Sequence, residues 1–301
     1  MKDPDNRHPS KAPPPKFQHG RLVSTSALPA TCTILNGLAG FASLHFATKD
    51  ALGEAELSNL VIASWLIGIG LVFDALDGRL ARFTRRTSDF GAQLDSLSDI
   101  ITFGVAPAML MLRTVITVLR GHIERIDMFL GNMAMERVIW CVAAVYVICA
   151  ALRLARFNVE TDPDESAHRS FRGLPSPGAA GAVGAMVLLF ANLADFDQGW
   201  RSSTWMLATV SITLPVVTLV VAGLMVSSYN YTHIVNHYLG GRKRFGFLVK
   251  MAIFILAAVL YFYITAALFA VTYAMSGPIR AAQQHMHKGK DNMDQGVTGE
   301  S

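Results

Sequence analysis

Long uninterrupted apolar blocks constrain this chain more than any other feature of it. They run over residues 31–47, 60–80, 95–112, 138–156, 177–194, 205–226 and 248–275. A helix that crosses a bilayer needs about 17–25 mostly apolar residues, and these blocks have that length without the alternation of a half-buried helix or strand. Composition agrees: 52% of the 301 residues are hydrophobic and 16% charged, against roughly 25% charged in soluble domains. Mean hydropathy is +0.37. A soluble enzyme, a disordered scaffold and a secreted disulfide domain are therefore excluded. Cys32, Cys141 and Cys149 are odd in number, lie inside apolar blocks and lack metal-type spacing, so they read as small buried hydrophobes.

The predicted architecture is an all-α integral membrane protein with seven or eight spans, the last block being long for one helix and short for two. Residues 1–26 form a basic arm with Pro13–Pro15 and too little apolar surface to order itself; residues 27–275 form the polytopic domain, and 276–301 a polar tail. No signal peptide is expected at the start, because no apolar core follows the basic residues. Arginine and lysine concentrate in alternate loops: Arg82, Arg85 and Arg86; Arg153, Arg156, Arg169 and Arg172; Arg242, Lys243 and Arg244. By the positive-inside rule those loops and the N-terminus face the cytoplasm of an inner-membrane protein. Gly178, Gly181 and Gly184 make a small-residue face suited to close helix packing in lipid. The histidine pairs His233/His237 and His285/His287 have no acid or cysteine to complete a metal site.

The chemistry concentrates where the second block meets the third. Asp74 and Asp77 are three residues apart at a helix end, so their carboxylates share one face, which Gly78 and Ala81 continue with almost no side chain. On the next helix Gly91, Asp95 and Asp99 recur every four residues, again on one face. A connection of about a dozen residues makes the two helices antiparallel neighbours. Four carboxylates thus converge at the cytoplasmic end of a helix pair. An ionised Asp at mid-bilayer costs about 2.5–3.5 kcal/mol, and mutual repulsion adds to it, so either some are protonated or cations bind among them. Carboxylate oxygens suit Mg2+ or Mn2+, and paired metals recur where a phosphate ester is attacked.

The string from Asp74 to Asp99 matches, without gap or substitution, the D-x2-D-G-x2-A-R-x8-G-x3-D-x3-D motif of the CDP-alcohol phosphatidyltransferases, and the chain is identified by it as resembling that family. The resemblance implies a six-helix catalytic core, here followed by one or two further C-terminal spans, and a homodimer in the lipid bilayer with its site open to the cytoplasm. It implies that Asp74, Asp77, Asp95 and Asp99 hold a two-metal site of Mg2+ or Mn2+, that Asp99 is the general base, and that Gly78, Ala81 and Arg82 lie against the cytidine and its phosphates. Segments 97–108, 153–158, 171–177, 224–227 and 276–278 resemble those of bacterial and archaeal phosphatidylserine synthases. The substrates so implied are CDP-diacylglycerol and L-serine; no nucleic-acid partner is expected. The first block departs from the family: Pro29-Ala30 stands where Pro-Asn is usual, leaving Thr33 and Asn36 as candidate phosphate donors.

Serine carries a carboxylate that needs a cation, and Arg153 and Arg156 are spaced to supply one, since Arg binds carboxylates through paired hydrogen bonds. Arg153 lies deeper in its apolar block. Asn158 is a further acceptor-site candidate. Two alternatives remain open on the residues alone: another alcohol, such as glycerol phosphate, inositol phosphate or choline, and a divalent-cation transporter. Transporters place their acids near mid-membrane on interrupted helices, whereas these acids lie at helix ends beside Arg82.

Overall fold

The computed structural model describes residues 23–49, 54–84, 89–120, 132–160, 173–196, 204–229 and 260–297, with the single positions 253 and 256. Helices α1 (Val23–Thr48), α2 (Glu54–Thr84), α3 (Asp89–Asp99), α4 (Ala106–Arg120), α5 (Asn132–Glu160), α6 (Ser176–Phe196), α7 (Thr204–Val226) and α8 (Phe262–Val297) follow one another, with a π-helical turn, Ile100–Val105, joining α3 to α4. No strand occurs among the described residues. The molecule is the all-α membrane bundle expected.

Six helical stretches among the described residues are long and apolar enough to cross a membrane: Glu56–Leu80, Phe90–Leu119, Met135–Val159, Ser176–Ala194, Ala208–Val226 and Phe262–Arg280. The expected block at 31–47 is helical but is not one of them, because Thr31, Thr33, Asn36, Ser43 and His45 dilute α1. The question of one or two spans after 248 falls on residues largely outside the described ones. Past Met275 the chain stays helical to Val297, through Pro278. Large apolar side chains such as Phe41, Trp140, Ile148, Leu219 and Leu268 point outward. On a molecule in water such a surface would be an association liability; here it is the surface that lipid covers.

The interior is packed by close backbone approach. Thr102 of the π turn wedges between α1 and α2: its hydroxyl donates to the Asn36 carbonyl at 2.8 Å. A Cβ at Gly40 would overlap Thr102, backbone included, and one at Gly70 would come within 2.5 Å of its methyl. Ser43 Oγ donates to the Ala63 carbonyl at 2.8 Å, tying α1 to α2 further along. The glycine face of α6 packs as expected: Gly181 lies against Leu71, Gly184 near the Ser64 carbonyl, and Gly178 under the ring of Tyr273 on α8.

Pro107 explains the π turn. It has no N–H for the carbonyl of Phe103, four residues back, and its ring crowds that carbonyl. The ladder widens there, with the Ala106 N–H reaching the Ile101 carbonyl. Tyr146 of α5, fully buried, supplies the missing donor: its hydroxyl reaches the Phe103 carbonyl at 3.1 Å. An orphaned carbonyl in this setting would cost about 1–3 kcal/mol. The wide turn begins at the residue after Asp99, in keeping with the tendency of such turns to lie at functional sites.

Two clasps close the bundle. At the end away from the aspartates, Thr117 Oγ1 donates to Glu56 at 2.7 Å and Arg113 Nε to the Ala47 carbonyl at 3.2 Å. At the aspartate end, Gly173 N–H meets the Tyr229 carbonyl at 2.8 Å and Leu174 N–H the Leu224 carbonyl at 2.9 Å, fixing the start of α6 to the end of α7. Gly173 has φ +86°, and a Cβ there would strike the Met225 carbonyl oxygen, so the position requires glycine.

Candidate active site

The last turns of α2 bring Asp74 and Asp77 to one end of the bundle, and α3 delivers Asp95 and Asp99 opposite them. Asp74, Asp95 and Asp99 each place a carboxylate oxygen within 4.8 Å of the others. The spacing argument is thus realised in space for three of the four acids. Asp77 stands beside this trio, buried, and accepts a hydrogen bond from Thr33 of α1.

The remaining side chains divide the expected site residues into two groups. Asn36, with 0% of its surface exposed, donates from Nδ2 to Asp99 Oδ1 at 3.0 Å, while its own Oδ1 has no partner among the described residues. Thr33 and Asn36 therefore meet the aspartates, not a position apart from them. Arg153 reaches in from α5, hydrogen-bonds to Ser176 Oγ at 2.5 Å, and lies in the electrostatic field of Asp74, Asp99 and Tyr273. Arg156, one turn on, is exposed and donates to the Val226 carbonyl at 3.2 Å, capping the end of α7. Asn158 donates to Ser96 Oγ at 3.0 Å, holding α5 to α3 one residue from Asp95. Gly78 is exposed, with open space where a Cβ would stand. Ala81 and Arg82 lie on α2, and their side chains are outside the described ones.

Sequence reasoning missed the supports: Thr102, Tyr146, Ser176 and Tyr273. The glycines Gly37 and Gly40 in α1 hinted that another backbone passes close by, but not which one.

The donor set fits a divalent cation. It is all oxygen and acidic, and among the described residues Asp74 and Asp95 receive no hydrogen bond, so two of the carboxylates have unused acceptor capacity beside one guanidinium. The trio's oxygens, all within 4.8 Å of one another, are near enough for a cation to gather them with small side-chain movements.

These helices, with aspartates at one end of a membrane bundle, define a class. The profile of the CDP-alcohol phosphatidyltransferases matches residues 26–214, and the chain belongs to that family. Among its curated relatives, the CDP-diacylglycerol–serine O-phosphatidyltransferase of Mycobacterium bovis is 33% identical over 191 residues, 62% of this chain and 57% of that protein. The enzyme of the same name from Helicobacter pylori is 38% identical over 160 residues, 52% of this chain and 60% of its own length. The archaetidylserine synthase of Methanothermobacter thermautotrophicus is 32% identical over 170 residues, 56% and 60% of the two chains. The chain thus spans somewhat under two thirds of the length of these relatives.

Proposed function

We propose that the protein transfers the phosphatidyl group of CDP-diacylglycerol to the hydroxyl of L-serine, giving phosphatidylserine and CMP. The observation that carries this reading is the convergence of Asp74, Asp95 and Asp99 at one end of a membrane bundle with Arg153 beside them. A lipid donor keeps its acyl chains in the bilayer while its diphosphate lies at the interface, the depth at which these groups sit. The names of relatives from bacteria and archaea support serine as the acceptor.

Asp74, Asp77, Asp95 and Asp99 are the residues that would hold Mg2+ or Mn2+, which when bound offsets the charge of the diphosphate and eases the departure of CMP. Thr33 fixes Asp77, and Asn36 holds one oxygen of Asp99. The other oxygen of Asp99 takes the proton of the serine hydroxyl as that oxygen attacks the lipid-side phosphorus; the bond from phosphorus to the CMP oxygen breaks. Arg153 receives the serine carboxylate, and Arg156 anchors the neighbouring helix end. Gly78, Ala81 and Arg82 border the nucleotide, the open space at Gly78 leaving room for it. The site faces the cytoplasm, as the basic loops suggest, and the protein works as a homodimer in the inner membrane.

The test is CMP release by purified protein given CDP-diacylglycerol and, in turn, serine, glycerol 3-phosphate, inositol phosphate or choline, with Asp95→Asn as the control. Serine should support release and the variant should fold without releasing CMP. Preference for another alcohol would refute the acceptor assignment; cation uptake with no lipid product would refute the enzyme.

A further inference from the structure

The acceptor end of the site draws on a helix that lies outside the family-matched segment. Arg153 is held by Ser176 at the first residue of α6, and two residues later Gly178 lies against the ring of Tyr273 from α8. A Cβ at Gly178 would come within 2.8 Å of Tyr273 Cε1 and 3.4 Å of Cδ1, so only glycine lets the ring sit there. Tyr273 is part buried against the core, and its phenol lies in the electrostatic field of Arg153. The matched segment ends at residue 214, before α8 begins at Phe262.

Arg153 faces two demands. Asp74 and Asp99 attract its guanidinium toward the metal-binding end, where it would compete for the carboxylates. Ser176 Oγ holds it at 2.5 Å from the start of α6, and the phenol of Tyr273, on the helix packed against that turn, lies in its electrostatic field. A flexible cation becomes a selective carboxylate receptor only when its head is held in one place, since ordering it at binding would cost affinity. We propose that Tyr273 is a positioning residue that holds Arg153 for the carboxylate of the acceptor, so that α8 contributes to the choice of alcohol. This rests on the serine-transfer reading above.

The experiment uses the full-length enzyme with serine and CDP-diacylglycerol varied separately. Tyr273→Phe, which keeps the ring and removes the hydroxyl, should raise KM for serine about tenfold, the loss expected of one polar contact to a charged group. The turnover number and KM for CDP-diacylglycerol should stay within about twofold of wild type, a split that a general loss of packing would not give. Gly178→Ala keeps the hydroxyl but must displace the ring, and should raise the serine KM in the same way; it decides the matter if Tyr273→Phe does not fold. Unchanged serine KM in a folded variant of either kind would overturn the inference while the wild-type enzyme still uses serine. Wild-type enzyme that ignores serine would instead overturn the reading on which it rests.

Discussion

Replacing Asn36 with leucine should separate catalysis from stability. The two side chains branch alike, but leucine neither donates nor accepts. The Asn36 amide is fully buried, gives one hydrogen bond to Asp99 at 3.0 Å, and finds no partner for its own oxygen among the described residues. Losing a hydrogen bond to a charged group costs about 1.5–3 kcal/mol. If the held geometry of Asp99 matters in the transition state, that is a fall of roughly ten- to a hundredfold in turnover. Removing the unpaired oxygen works the other way for the fold, since a buried unsatisfied acceptor costs about 1–3 kcal/mol. The two contributions to stability nearly offset, and the melting midpoint should stay within a few degrees of wild type, at about 2–4 °C per kcal/mol for a domain of this size. The assay is CMP release with serine and CDP-diacylglycerol saturating, beside a thermal-unfolding measurement in the same detergent. A folded Asn36→Leu variant turning over within twofold of wild type would refute the view that Asn36 acts through Asp99.

Two further outcomes follow from named contacts. Gly173→Ala puts a side chain at φ +86° and against the Met225 carbonyl; it should lower stability by about 1–3 kcal/mol, read as a drop in melting midpoint. Mg2+ or Mn2+ should raise the melting midpoint of the wild-type protein, by the equivalent of about 2.7 kcal/mol at a hundred times Kd, and EDTA should reverse it. Asp95→Asn should lose most of that response, and an equal response in the variant would place the metal elsewhere.

The fold class was legible because a membrane leaves few options: apolar blocks of spanning length can satisfy their backbone in lipid only as helices or closed barrels. The aspartates were legible because helical spacing alone puts Asp74 with Asp77 and Asp95 with Asp99 on shared faces, and a short connection keeps both pairs at one end of the bundle; that the two helices meet by way of α1, and not by packing on each other, was not legible. The glycine face of α6 was readable on the same local grounds. Helical spacing does not say how far apart two faces end up, and only the packing of α2 and α3 on α1 brings Asp74, Asp95 and Asp99 within one cluster while giving Asp77 to Thr33. Arg153 and Arg156, one turn apart and alike in sequence, part company for the same reason: one turns inward to Ser176 and the aspartates, the other outward to the end of α7. Tyr146 and Tyr273 carry no local mark at all. Their partners, Phe103 and Gly178, lie 43 and 95 residues away, and contacts over such separations exist only once the helices have packed.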